Sequence, residues 1–333
     1  VLSAYTHATS AIASPMLDIL AITTPIYLII LIGYVMTRRG LFAKADMRVL
    51  GAFVMNLALP ALLFKALSTR PIVEIFNVPY LVAYALGSLL VIAVGYFWSR
   101  RVSGQDVTTS AISTMGMSCS NSGFVGYPIL LLTMPSVAGV ALALNMLVEN
   151  LLAIPLLLFI AEQGRNPAGR WRAVRDSLVR LTRNPLVIGL MAGVLFSLTG
   201  WALPTPISRT VDLLAAASGA VSLFIIGGTL VGVELRGLGP RAAPIVFGKL
   251  LLHPLFVFAM IAACAALGLR MVDPELRAAA VLLAAMPMMG VYTTIAQGFD
   301  KAESSAAALL VTTIASFFTL SALLWLLRHG GLT

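Results

Sequence analysis

The sequence predicts an all-α integral membrane protein of ten transmembrane helices, arranged as two inverted five-helix repeats with broken fourth and ninth helices. Three observations carry this. Apolar residues make up 59% of the 333 residues and charged residues 11%, against roughly 45–50% and about 25% in soluble domains. Runs of about 20 mostly apolar residues, the length a helix needs to cross a bilayer core of about 30 Å, recur along the whole chain. Lysine and arginine concentrate in every second loop between those runs.

The composition also excludes alternatives. A soluble fold of this size needs more charge to cover its surface. Disorder needs low hydrophobicity and high charge, and two cysteines cannot build a disulfide scaffold. The net charge of +9 is spread over short loops and forms no basic face, so no nucleic-acid partner is expected.

In order, the spans fall at roughly 17–37, 47–69, 78–99, 107–133, 137–162, 184–201, 208–233, 243–268, 274–299 and 304–327. Residues 1–16 read as an N-terminal extension. They carry no basic n-region, so no signal peptide is expected. Repeat one covers 17–163 and repeat two 184–328, with a linker at 164–183 and a tail at 329–333. The loops after spans one, three, five, seven and nine hold fifteen of the 22 Lys and Arg residues; the opposite side holds six, and Lys249 lies inside span eight. The positive-inside rule then puts both termini outside and the linker in the cytoplasm, in a multi-pass membrane protein. In the linker, Trp171, Val174, Leu178 and Leu181 fall at helical spacing with arginines between them. That pattern predicts a short helix lying on the lipid surface.

The breaks are read from proline. Span four contains Asn121-Ser122-Gly123-Phe124-Val125-Gly126-Tyr127-Pro128, and span nine Met286-Pro287-Met288-Met289-Gly290-Val291-Tyr292. Proline lacks an N–H and clashes with the carbonyl four residues back, but suits the first turn of a helix. Pro128 and Pro287 are therefore expected to open second half-helices. Freed backbone groups need protein or a wet cavity around them, and half-helix N-termini suit an anion. Interruptions at matching places in two halves with five spans each point to a transporter site.

At these residues the chain resembles the auxin efflux carrier family, including its bacterial malonate-permease-like members. Asn121 with Pro128 is similar to the family's fourth-span crossover. Asn56-Leu57-Ala58-Leu59-Pro60-Ala61-Leu62-Leu63-Phe64 resembles its second span, Asn184-Pro185-Leu186-Val187-Ile188-Gly189 its sixth, Leu223-Phe224-Ile225-Ile226-Gly227-Gly228 its seventh, and Ala285-Met286-Pro287 its ninth. The resemblance implies a fold like that of sodium/proton antiporters and bile-acid transporters. Spans 1, 2, 6 and 7 would form a scaffold, and spans 3–5 and 8–10 a mobile domain in which helices four and nine cross. It further implies elevator movement, a homodimer and an organic carboxylate anion as substrate. Plant members place an acid on the third span. Here residues 78–99 carry none, which argues against auxin itself.

Charges deep in a bilayer cost at least roughly 2.5–3.5 kcal/mol on insertion scales and default to functional candidates. Glu149 lies mid-span, about 18 Å deep at 1.5 Å per residue, with Asn145 one turn earlier and Asn150 beside it. In so dry a place a carboxyl needs a proton, a cation or an amide. One that exchanges a proton would couple transport to the proton gradient; a structural carboxyl bonded to the crossover backbone is the plainer reading. Lys249 either snorkels to the interface or pairs with substrate or Glu149. His253 is one turn on. Lys65 is expected to snorkel, Cys119 and Cys264 to be free thiols, and Gly189-x-x-x-Gly193 and Gly228-x-x-x-Gly232 to allow close helix packing.

The expected binding site for a small organic anion comprises Asn121, Ser122, Gly123, Gly126, Tyr127, Pro128, Asn145, Glu149, Asn150, Met286, Pro287, Gly290 and Val291. Glu149, Lys249 and His253 are the coupling candidates, with proton and sodium both open. No cofactor or metal is expected: the three histidines are scattered and no His-Glu-x-x-His occurs. An intramembrane enzyme, a channel and a non-transporting receptor are weaker readings, because two inverted breaks favour alternating access.

Overall fold

Long runs of Leu, Ala, Val and Ile without charge have nowhere to satisfy their backbone in lipid except within helices. In a computed structural model of the chain, describing residues 24–71, 76–232 and 242–329, the regular structure is helical throughout. Six helices are long and apolar enough to cross a membrane. In chain order the described elements are α1 (Thr24–Arg38), α2 (Asp46–Ser68), α3 (Val78–Arg101), α4 (Val107–Ser118), α5 (Ser122–Thr133), α6 (Ala138–Arg165), α7 (Arg170–Thr182), α8 (Pro185–Thr199), α9 (Thr205–Thr229), α10 (Ala243–Ala266), α11 (Pro274–Ala284), α12 (Tyr292–Gln297) and α13 (Ala302–His329). The expected extension at 1–16 and the tail beyond His329 lie outside the described residues. So does the start of the first span, of which α1 is the described part.

The remaining predicted spans are short or broken for visible reasons. The fourth is split into α4 and α5, the ninth into α11 and α12, and the sixth, α8, has 15 residues before Gly200 ends it at φ +63. The linker helix is present as α7, with the Trp171 ring set edge-on against Phe159 at 5.1 Å.

Contacts between helix ends fall into two groups. The Thr108 hydroxyl at the start of α4 donates to Ala161 O near the end of α6 at 2.8 Å. Arg165 donates to Gly298 O beyond α12 at 2.7 Å. At the opposite end, Ser136 donates to Glu275 and its carbonyl takes a bond from Arg70. Lys65 there forms an ion pair with Asp212 at 2.6 Å. It therefore does more than the expected snorkelling.

Among the described residues, four π-turns interrupt the ladders, at Val54–Ala58, Ser122–Gly126, Glu149–Ala153 and Gly248–Leu252. Each is followed two residues later by proline: Pro60, Pro128, Pro155 and Pro254. The cause is common to all. Proline offers no N–H to the carbonyl four residues back and its ring pushes that carbonyl away. The helix widens, and the residue before proline bonds five residues back: Leu59 to Val54, Tyr127 to Ser122, Ile154 to Glu149 and His253 to Gly248. Such bulges are frequent at functional sites. Two of these carry Glu149 and Lys249.

Glycines set the closest helix approaches. A Cβ at Gly189 would lie 2.5 Å from Pro60 O, and one at Gly193 2.9 Å from Phe64 O. The expected close packing of α8 therefore holds, on α2. For the second glycine pair it holds only at Gly228, which abuts Met47; Gly232 lies in the turn after α9, which ends at Thr229, and has φ +73. Two apolar cores result. One runs through α2, α5, α8 and α11, and the other gathers α4, Cys119, Met288 and Tyr292. Both cysteines are buried and free.

Candidate functional site

The two breaks meet where the cores adjoin, and they pair backbone to backbone. Asn121 N–H donates to Pro287 O at 2.8 Å and Met289 N–H to Cys119 O at 3.2 Å, with Ser120 opposite Met288 as an isolated antiparallel bridge. This answers the demand that broken helices satisfy their freed backbone groups inside protein.

Pro287 does not open a half-helix as expected. It sits within the break, five residues before α12 begins at Tyr292, and its carbonyl is the acceptor for Asn121. The second half of the fourth span likewise begins before Pro128, at Ser122. Its π-turn absorbs the proline, which falls at the second position of the following α-helical turns.

Ser120 is the hub. Its N–H donates to Glu149 Oε1 at 2.7 Å, and its Oγ accepts from Lys249 Nζ at 2.6 Å. Lys249 also donates to Ala284 O, the last residue of α11, at 2.7 Å, and contacts His253 Nδ1 at 2.9 Å. An ammonium has three hydrogens and only donates, so all three are used. His253 must then accept at Nδ1 and carry its proton on Nε2, facing Ser88 Oγ of α3 at 3.1 Å. Glu149 is 5% exposed and Lys249 and His253 0%. The snorkelling reading of Lys249 is therefore overturned: its charge is held by three neutral acceptors next to a carboxylate's donor.

Asn145 donates to Ser122 Oγ. Two polar atoms around this cluster, Asn145 Oδ1 and Tyr84 Oη, are buried without a hydrogen-bond partner among the described residues. The Tyr84 ring meets His253 edge-on at 5.6 Å and stacks on Tyr80 at 5.8 Å.

The expected residues thus divide. Asn121, Ser122, Asn145, Glu149, Pro287, Lys249 and His253 are brought together around Ser120. Gly126 lets the halves approach: a Cβ there would lie 2.6 Å from Leu283 and 3.3 Å from Met286. A Cβ at Gly123 would lie 3.1 Å from Leu59 of α2. Tyr127 is buried in the larger core, and Pro128 lies toward Gly219 of α9; neither joins the hub. Gly290 and Val291 are exposed. Asn150 turns away too, donating to Met146 O at 2.9 Å. With Val291 it lines a separate polar cavity of about 540 Å³ bounded by α6, α7 and α12. Among the described residues no group of three or more His, Cys, Asp or Glu could hold a metal.

Ser120, Ser88 and Tyr84 were not singled out from the sequence. The Ser118-Cys119-Ser120 run next to Asn121 is the one local signal for the hub, and Ser88 and Tyr84, four residues apart, share a helix face.

A many-helix membrane protein with paired breaks around a buried carboxylate and ammonium has the build of a transporter, and the comparison with known proteins agrees. The chain belongs to the membrane transport protein family, which includes the auxin efflux carriers; the family's model matches residues 19–326. Among its relatives, a "Putative malonate transporter" of Rhizobium meliloti is 28% identical over 95% of this chain and 98% of its own length. The uncharacterized transporter YfdV of Escherichia coli K12 is 27% identical over 72% of this chain and 77% of its own. An uncharacterized transporter of Methanothermobacter thermautotrophicus is 26% identical over 69% and 74%. All three relatives are named as transporters, in keeping with the family's description as membrane transport proteins.

Proposed function

We propose that the protein is a secondary carrier of a small organic carboxylate, malonate being the first candidate, and that Glu149 couples it to protons. The observation that carries this is the Ser120 hub, where a carboxylate and an ammonium are tied to opposite sides of one residue in the fourth-span break. A break N–H suits an anion, and the anion now occupying that of Ser120 is the chain's own Glu149. A substrate carboxylate arriving beside Lys249 meets a fixed negative charge. If Glu149 takes up a proton, that repulsion disappears and the Ser120 N–H is released to the substrate. Orphaned polar atoms at Asn145 and Tyr84 add further hydrogen-bonding capacity for a polar ligand.

On this reading the chain has ten spans in two inverted repeats. Helices four and nine cross at the site, both termini lie outside, and the basic loops face the cytoplasm of a bacterial inner membrane. Elevator-like movement of spans 3–5 and 8–10 and a homodimer are part of the same proposal, and the resemblance to the auxin efflux carriers supports them. Sodium coupling remains the competing reading, since paired breaks expose carbonyl oxygens of the type sodium uses.

Solid-supported-membrane currents test this. Concentration jumps of malonate, succinate, lactate and indole-3-acetate are applied to proteoliposomes at two pH values, with and without sodium. The expected result is a saturable malonate current that depends on pH and not on sodium. In Glu149→Gln the pH dependence should vanish while some binding persists. An unchanged pH profile in that variant removes the coupling role.

A further inference from the structure

The polar cavity beside the hub has a charge arrangement that the proposed binding site leaves unused. Its lining includes Asn150, the residue after Glu149, and Val291 in the ninth-span break. Its lining also includes Arg165 at the end of α6 and Arg180 of α7. It therefore leads from the loop face rich in arginine to within one residue of the buried carboxylate.

The two arginines are not equivalent. Arg165 is tied down: it donates to Gly298 O at 2.7 Å, lies 4.0 Å from Glu162 and stacks 5.2 Å from the Phe299 ring. Its charge is largely matched by Glu162, which also lines the cavity. Arg180, on α7, is exposed and its guanidinium has no ion-pair or hydrogen-bond partner among the described residues. The cavity's charge balance is thus one positive charge in excess, carried on α7. A cleft with low-dielectric walls focuses such a charge and raises the local concentration of anions.

We infer that this cavity is an anion-capture vestibule on the basic-loop side, with Arg180 as the charge that draws a small organic carboxylate toward the crossing. Arg165 is held in place and Arg180 supplies the attraction. The carboxylate identity rests on the function proposed above; the capture of anions does not. A bidentate guanidinium suits a planar carboxylate, and Asn184 in the lining offers a further polar group.

The test introduces one cysteine at Thr294, an exposed position in the cavity wall. Cys119 and Cys264 are buried and stay silent to impermeant reagents. In oriented vesicles, the modification rate is compared for a sulfonate-bearing and a trimethylammonium-bearing methanethiosulfonate. The expected result is reaction from the basic-loop side only, with the anionic reagent favoured. Arg180→Gln should lower the anionic-to-cationic rate ratio by about threefold or more, and Arg180→Lys should restore most of it. An unchanged ratio in Arg180→Gln, or labelling from the other side only, overturns the inference.

In the same vesicles, Arg180→Gln should raise the KM for malonate applied from the basic-loop side by about threefold or more, with kcat within about twofold of wild type. An unaltered KM also counts against the vestibule. If the wild-type protein moves no carboxylate, the proposed function fails, and the reagent ratio alone then decides whether the cavity gathers anions.

Discussion

Removing the Lys249 ammonium is the sharpest perturbation of the hub, and a double-mutant cycle with Glu149 reads its consequence. Lys249→Met fills similar volume but takes three donors away, from Ser120 Oγ, His253 Nδ1 and Ala284 O. It also leaves the Glu149 carboxylate, 5% exposed, without a nearby cation. Stripping one member from a buried charge pair costs about 3–5 kcal/mol. Glu149→Gln keeps an acceptor for the Ser120 N–H yet strands the ammonium, with a cost of the same order. In the double variant both charges are gone. What remains is the loss of three hydrogen bonds worth about 1 kcal/mol each. The double variant should therefore cost about 3 kcal/mol, against about 6–10 kcal/mol for the combined singles, giving a coupling of about 3 kcal/mol or more. On the scale of globular chains, 333 residues correspond to an unfolding entropy of about 0.7 kcal/mol per degree, so the double variant should melt several degrees above the additive expectation. Thermal unfolding of the purified protein in detergent measures this. Strictly additive shifts would mean that the two groups do not sense each other through Ser120, and the hub would lose its electrostatic meaning.

Other consequences follow from the same structure. Pro155→Ala restores a donor to the carbonyl of Leu151, removes the cause of the π-turn at Glu149–Ala153 and shifts the register of α6. Transport should fall by about tenfold or more while the melting temperature changes little, and retained transport would detach the π-turn from function. Gly189→Ala sets a Cβ 2.5 Å from Pro60 O, so α8 must move off α2 at a cost of about 1–3 kcal/mol, visible as a lowered melting temperature. Asp106 caps α4 by accepting from Thr109 N–H at 2.8 Å and from the Thr109 hydroxyl. The Thr109 hydroxyl bond, more than the backbone one, holds its carboxyl below the usual carboxylate range. Its contribution is present above the ordinary carboxylate range and fades as pH falls through the depressed value. Asp106→Ala should cost about 1 kcal/mol at neutral pH and nothing extra in strong acid, as a pH series of melts will report.

The membrane character, the helix positions and the site of both breaks were legible in the sequence because they rest on local signals: run length, proline and glycine. The placement of the pieces at the breaks was less so. Pro287 reads locally as a helix start, but its carbonyl is drawn into pairing with Asn121, a partner 166 positions away. Ser120 escaped notice for a related reason. Half of its role uses a backbone N–H that every non-proline residue possesses, and no residue type announces it. Lys249 was ambiguous because a lysine near a span end usually snorkels; only packing against α4 and α11 shows that it turns inward. The third span carries no acid, and its part in the site comes from neutral groups that no local pattern marks: Ser88 and Tyr84 form the wall against His253.

The most direct test of the central claim is flux of labelled malonate into proteoliposomes carrying the wild-type protein, under an imposed proton gradient and against protein-free liposomes. Carriage at a Ser120–Glu149–Lys249 hub requires saturable uptake that the gradient drives, that unlabelled malonate competes away and that Lys249→Met abolishes. Uptake equal to that of protein-free liposomes for malonate and for every other small carboxylate tried would contradict it.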